Sequence, residues 1–325
     1  MHRRLFSNSI IAGVVGVYFS QGVQAATWPS KTIRWIVPYA PGGLSDTSTR
    51  IVIQKIIENT GWSIVIENKP GANALIGSEF VARSSPDGYT FVTVLAAHSV
   101  NPTLYAGNLS FDPLKDLTPV SLVGVTPLLI SVSPALPVKD LKEFIAYAKA
   151  NPGKLSYGSS GIGAAAHMAT ELFKMKTDIE MTHVPYKGSA LALQDLMGNN
   201  IQVLIDTPPT LMPQVRAGKI KALAMMSSKR ISSAQEIPTL LEAGGPDLDS
   251  STWAMFLARS GTPKDIINRV ALETKRAVSS PDLKARFEQL GLEPFGSSPE
   301  ESNKFLNAEV SKMASIIHSK NIKPE

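Results

Sequence analysis

Along nearly the whole chain, segments with the two-residue hydrophobic period of a strand alternate with segments of helical period. No other feature narrows the fold as far. Strand patterns run over Thr32–Val37, Ser63–Glu67, Tyr89–Leu95, Val120–Val132, Leu155–Tyr157, Met181–Val184, Ile201–Ile205, Lys221–Met226 and Trp253–Ala258. Helical patterns lie near Asp46–Asn59, Ile76–Ala82, Val138–Ala150, Ala164–Met175, Ala190–Met197, Thr210–Ala217, Pro263–Ser279, Leu283–Leu290 and Pro299–Ile317. Regular alternation of this kind predicts an α/β protein with mostly parallel sheet. At 325 residues the chain exceeds the usual size of one hydrophobic core, so two domains are expected. Val123–Pro127 and Glu242–Asp249 are the stretches where the chain would cross between them. That predicts one discontinuous domain of residues 26–126 and 248–325, with 127–247 inserted as the other.

The first 25 residues read as an export signal. Arg3 and Arg4 precede an apolar run from Ile10 to Phe19, and Val23-Gln24-Ala25 offers a small-residue cleavage site. The run is too short to span a bilayer. Cleavage after Ala25 and a periplasmic location are therefore expected. With no cysteine, the chain has neither disulfides nor a lipid-anchoring thiol. The net charge of +5 includes Arg3 and Arg4, and the predicted signal holds no acid, so cleavage lowers the charge by two. Lys and Arg are scattered and aromatics make up 7%, which argues against a nucleic-acid surface.

Two glycine-rich turns carry the chemistry. The first, Pro38–Asp46, leaves a strand through Gly42-Gly43 and opens a helix. A helix N-terminus presents free N–H groups and about +0.5 of a charge, a seat for an anion. Here Asp46 beside an anion reads as a cap or brace more readily than as a contact. The second turn, Gly158–His167, repeats the arrangement. Its Gly161-Ile-Gly163-Ala-Ala-Ala166 matches a dinucleotide fingerprint, but a nicotinamide cofactor does not suit an exported protein, and the motif sits mid-chain. No cofactor is expected. His98 and Asp206 follow or end strands, where α/β sheets bind ligands; Asp206 also fits a turn or cap, and His167 a packed core histidine. The histidines lack metal-ligand spacing, and Gly158-Ser-Ser-Gly161 is one residue short of a nucleophile elbow. A secreted hydrolase using Ser160 is the enzymatic alternative.

Several blocks make a resemblance specific: Trp28–Asp46 with its Ala40-Pro-Gly-Gly-Leu-Ser-Asp46, Val65–Ala72, Ser85–Thr90, His183-Val-Pro-Tyr-Lys-Gly188, Arg216–Lys219 and Ile237–Ala243. In order and spacing, from Trp28 to Pro299, the chain resembles the substrate-binding proteins of tripartite tricarboxylate transporters, the Bug family. The resemblance implies a non-enzymatic, two-domain periplasmic binding fold of type II that closes like a flytrap over a small organic carboxylate. It would deliver that ligand, as a monomer, to the membrane components of the transporter; a sensor for a membrane signalling partner is the alternative within the same fold. Carried onto this chain, the family's carboxylate contacts, helped by ordered water, fall at Tyr39, Gly42, Gly43 and Asp46, then at Ser159, Ser160, Gly161, Gly163 and His167. Ala164 departs from the family's usual Thr or Ser, and Leu44 from a small polar residue. Loss of a hydroxyl at Ala164 removes a hydrogen bond worth about 0.5–1.5 kcal/mol, and the run Ala164–Ala166 leaves room. Both features tilt the expected ligand towards an aromatic mono- or dicarboxylate.

Overall fold

The computed structural model describes residues 28–186 and 188–324, so the predicted export signal and its cleavage site lie outside the described residues. In chain order the strands are β1 (Ile33–Val37), β2 (Ile64–Asn68), β3 (Thr90–Val94), β4 (Leu117–Pro127), β5 (Leu129–Val132), β6 (Leu155–Ser159), β7 (Met181–Pro185), β8 (Val203–Asp206), β9 (Lys221–Met225), β10 (Ser251–Arg259) and β11 (Glu293–Pro294). The helices are α1 (Leu44–Thr60), α2 (Leu75–Ala82), α3 (Ala97–Leu104), α4 (Leu141–Ala150), α5 (Ala165–Thr177), α6 (Ser189–Met197), α7 (Pro208–Arg216), α8 (Lys264–Ser279), α9 (Pro281–Gln289) and α10 (Pro299–Lys320).

These form two lobes, each a sheet flanked by helices. The first sheet has the order β11-β4-β10-β3-β1-β2, the second β7-β6-β8-β5-β9. Both are mixed. Pairing is parallel among β1, β2 and β3 and among β6, β7 and β8, where helices return the chain. It is antiparallel around β4, β5 and β10, the strands that carry the chain between lobes. The single strand pattern over Val120–Val132 serves both sheets: it breaks at Leu128, with β4 in one and β5 in the other. The chain returns between Ser250 and Ser251, directly beside that break.

The apolar side chains that define the strand patterns build the cores. Trp35 is 1% exposed, stacks on Phe91 at 4.9 Å and meets Phe256 edge-on at 4.5 Å. Its indole N–H donates to Thr93 Oγ1, so burial leaves no polar atom unpaired. One face of this sheet packs on α1, α8 and α9, the other around Val81, Phe111 and Leu306. In the second lobe Phe144 and Phe173 cover one face, and Leu196, Leu211 and Met212 the other. Between lobes, Met168 on α5 packs with Val100 and Leu104 on α3 and with Met313, Ile316 and Ile317 on α10. Helix α3 has no counterpart in the sequence patterns. Eight residues with an internal proline make a poor helix on propensity alone, and its stability comes from this packing.

Candidate functional site

The first glycine turn leaves β1 at Val37 and enters α1 with Gly43 as its N-cap. No side chain caps that helix end, so first-turn N–H groups remain available to an outside acceptor. Asp46 is the brace of the turn. Buried to 4% exposure, it accepts the Gly42 N–H (3.0 Å), the Asn68 amide (2.9 Å) and the Arg50 guanidinium (3.0 Å). Burial works to raise its pKa, but the Arg50, Gly42 and Asn68 hydrogen bonds together outweigh it and hold the carboxyl below the usual range. Asn68 also donates to the Tyr39 carbonyl, and the Tyr39 hydroxyl accepts the Leu95 N–H. The turn is thus tied to the carboxyl ends of β2 and β3. Gly42 and Gly43 are exposed, and a Cβ on Gly42 would meet nothing within 4 Å.

The second turn leaves β6 at Ser159 and enters α5, again with no side-chain cap. Two imidazoles pin it. His183 Nε2 lies 2.7 Å from Ser159 Oγ, which in turn bonds both the carbonyl and the N–H of Gly161. The Gly163 N–H donates to His167 Nδ1 at 3.1 Å. The two rings stack at 4.0 Å and 5°, and His183 stacks on Tyr157 at 4.8 Å. Beneath them the Tyr157 hydroxyl and Lys174 both donate to Glu171 at 2.7 Å. Burial, with smaller contributions from its partner imidazole and Lys174, pushes His183 down to about 3; burial chiefly pushes His167 down to about 4. Both rings are therefore neutral at pH 7. Unfolded imidazoles, with pKa near 6.5, take up protons that the folded pair refuses. Stability contributed by the pair is full above pH 6.5 and declines as pH falls from there towards 3. We expect urea midpoints to drop over that window, and a His167→Phe/His183→Phe variant to show a flatter profile; equal slopes would contradict this assignment.

The structure redistributes the expected contacts. The N–H groups of Gly42, Gly161 and Gly163 are taken by Asp46, Ser159 and His167. These glycines shape the turns, and the first-turn amides of α1 and α5 have no side-chain cap. Ser160 and Ala164 are half-buried at the turn. Ala165 packs on the first lobe's core and Ala166 is 4% exposed, so the alanine run supplies less room than its small side chains imply. Leu44 packs on the core as well. His98 lies inside the first lobe at 2% exposure, bonded to the Pro113 backbone, pushed by burial down to about 4 and with its Nε2 buried without a hydrogen-bond partner. Asp206 ends β8 opposite Leu129, at the crossing between lobes. It accepts from Ser189 and from the Thr207 N–H, and burial raises its pKa.

The two turns are linked across the lobes by the segment that follows β2. Helix α2, entered from the loop after β2, lies beside the first turn: a Cβ on its Gly77 would come 2.7 Å from Pro38 Cβ. The loop itself reaches the second turn: a Cβ on Gly163 would lie 3.3 Å from Asn73 Nδ2, and 2.8 Å from Leu104 Cδ2 on α3. Residues 71–74 all have positive φ, including Ala72 (45°), Asn73 (50°) and Ala74 (71°). Such strain persists where surrounding contacts over-determine it, here the reciprocal hydrogen bonds of Asn73 and Asn101. Sequence reasoning missed Asn68, Asn73, His183 and the buried, unpartnered Ser45 hydroxyl. Nothing in local periodicity marks them, although Asn68, Asn73 and His183 follow or sit in strands whose carboxyl ends face the cleft.

Catalytic chemistry finds no support in this geometry. The serine that meets a histidine is Ser159, not Ser160. Ser159 is fully buried and its hydroxyl is held between His183 Nε2 and the Gly161 backbone, so it is not exposed to a substrate. Among the described residues no group of His, Asp and Glu could hold a metal ion, and no helix is long and apolar enough to cross a membrane.

A sequence model described as the tripartite tricarboxylate transporter family receptor matches residues 49–322. The chain belongs to this family. Its members are solute receptors of the periplasmic binding type, not enzymes. BugT of Bordetella pertussis is 31% identical over 317 residues, covering 94% of this chain and 96% of BugT. Among solved structures, Rpa4515 of R. palustris with adipate superposes with a TM-score of 0.84 at 33% identity, covering 92% of this chain and 100% of that one. MatC from Rhodopseudomonas palustris with bound malate gives a TM-score of 0.78 at 28% identity, covering 89% and 100%. For this receptor the resemblance in the sequence blocks and the two-lobe α/β architecture agree.

Proposed function

We propose that this receptor binds a small organic carboxylate between its lobes and hands it to the membrane components of a tripartite tricarboxylate-type transporter. Residues 26–126 and 248–325 form one closing body and 127–247 the other, after cleavage of the export signal behind Ala25. The observation that supports the reading is the pair of uncapped helix N-termini, α1 and α5, one on each lobe, with Gly163 before α5 lying against α3 and Asn73 of the first lobe. Each suits a carboxylate through its first-turn amides and its dipole. Two seats on two lobes favour a dicarboxylate, because a ligand touching both halves links binding to closure. Adipate and malate in the two structural relatives support the class. Ala164 offers no hydroxyl at this turn, which favours an apolar body, aliphatic or aromatic.

The test is a thermal-shift and calorimetric panel of adipate, malate, citrate, benzoate and terephthalate on the mature chain. A ligand at about 100 times its Kd adds ~2.7 kcal/mol of stability. We expect a diacid with an apolar spacer to give the largest shift and to be recovered unchanged. Absence of any shift across the panel would reject the reading.

A further inference from the structure

The two passages between lobes form one short hydrogen-bonded pivot. The Leu128 N–H donates to Ser250 O at 3.0 Å, the Ser250 N–H to Met226 O at 3.0 Å, and the Met226 N–H to Leu128 O at 2.7 Å. The packing of α5 on α10 gives that pivot a second point of contact. Sheet order divides everything else about it. On one side stand β1, β3, β6 and β8, whose carboxyl ends carry the glycine turns and Asp206; on the other stand β11 and β9.

That far side holds a second interlobe cleft of about 660 Å3. Met226, Ser232 and Ser233 line it from the second lobe, and Lys284, Glu288 and Glu293 from the first. None of the residues assigned to the carboxylate seat borders it. The lobes already meet at its edge, where a Cβ on Gly291 would lie 3.3 Å from Pro208 Cβ. Closely packed lobes move as rigid bodies. Rotation about a pivot then moves points on its two sides in opposite senses, so the seat closes only as the rear cleft widens.

Resting on the solute-receptor reading above, we propose that the rear cleft between α9 and the Ser227–Ser233 segment sets the ligand affinity of the front seat from behind the pivot. Bulk in the rear cleft resists its narrowing, holds the lobes in the front-closed state and tightens binding. A link that draws its walls together holds the front open and weakens binding. The apparent Kd follows the fraction of molecules in the competent state, so contacts that never touch the ligand control it.

Two variants test this with opposite signs. Ser233→Trp fills the rear cleft and should lower Kd for the best carboxylate of the panel at least fivefold, through slower dissociation. Ser232→Cys/Glu288→Cys introduces the chain's first two cysteines. Oxidised, or bridged by a short bis-alkylating reagent where the thiols do not oxidise, it should raise Kd at least tenfold; reduction of the disulfide should restore wild-type affinity. Loss of fold cannot produce both changes. Wild-type binding with both variants within twofold of it, or shifted in the same direction, overturns the proposal and leaves the receptor reading intact. If the wild type binds no carboxylate, the receptor reading fails instead. Small-angle scattering of the ligand-free variants then still decides the coupling: the wedge and the bridged chain should depart from wild type in opposite senses, and indistinguishable profiles overturn it.

Discussion

Gly163→Val should raise the Kd for the carboxylate by two orders of magnitude or more while leaving a folded, cooperative protein. Gly163 sits at φ +75°, where an L residue is disfavoured by about 1–2 kcal/mol and a β-branched one more. Its Cβ would also lie 2.8 Å from Leu104 Cδ2 and 3.1 Å from Val100 Cγ1, both on the opposite lobe. The clash is therefore relieved by parting the lobes, and the N-terminus of α5 moves away from its partner seat. A hundredfold loss corresponds to about 2.7 kcal/mol, within reach of strain and displacement combined. Gly153→Val is the control: φ is +71°, but a Cβ there meets nothing within 4 Å. It should lose comparable stability in urea and bind as wild type. Calorimetric Kd values for the two variants check this, and a Gly163→Val chain that binds normally would remove the second turn from the seat.

Asp46→Ala should destabilise the first lobe by about 2–4 kcal/mol and abolish detectable binding. The carboxylate is the common acceptor for Gly42, Asn68 and Arg50, and hydrogen bonds to a charged group are worth about 1.5–3 kcal/mol each. The total is discounted because the Arg50 side chain is half exposed and recovers water as a partner. Asp46→Asn keeps an acceptor for Gly42 and should fall between the two. The pH dependence runs in the sense set by a lowered carboxyl: its contribution is complete above the ordinary value of 3.8 and is lost as pH falls through the folded pKa. Urea unfolding between pH 2 and 6 should therefore show a smaller acid-side loss below pH 3.8 in Asp46→Ala than in the wild type, the loss due to the His167–His183 pair remaining in both. Identical acid limbs would mean that another carboxylate governs it.

The reading of Asp46 as a brace was accessible from the chain, because an acid in the first turn of an anion-seating helix either caps or repels. The fate of the turn glycines was not. Gly161 and Gly163 were expected as donors, yet His183 arrives from a separate strand to fix Ser159, and His167 folds back from α5 onto Gly163. Spacing along the chain carries no signal for a ring stack between residues 167 and 183, since it depends on β6 and β7 pairing in parallel register. For His98, the position after β3 is legible in the sequence, but the helix α3 that carries it has no sequence pattern of its own and packs against α5 and α10.

Local sequence by itself determined the α/β class, the two strand–glycine–helix turns and the family, because periodicity, φ-permissive glycines and helix polarity are properties of neighbouring residues. Tertiary structure alone decided which turn N–H groups are already bonded, which histidines pack, and that β4, β5 and β10 meet at the crossing between the lobes. Those outcomes depend on residues more than a hundred positions apart, such as Leu128 and Ser250, meeting across strands whose partners no local pattern names.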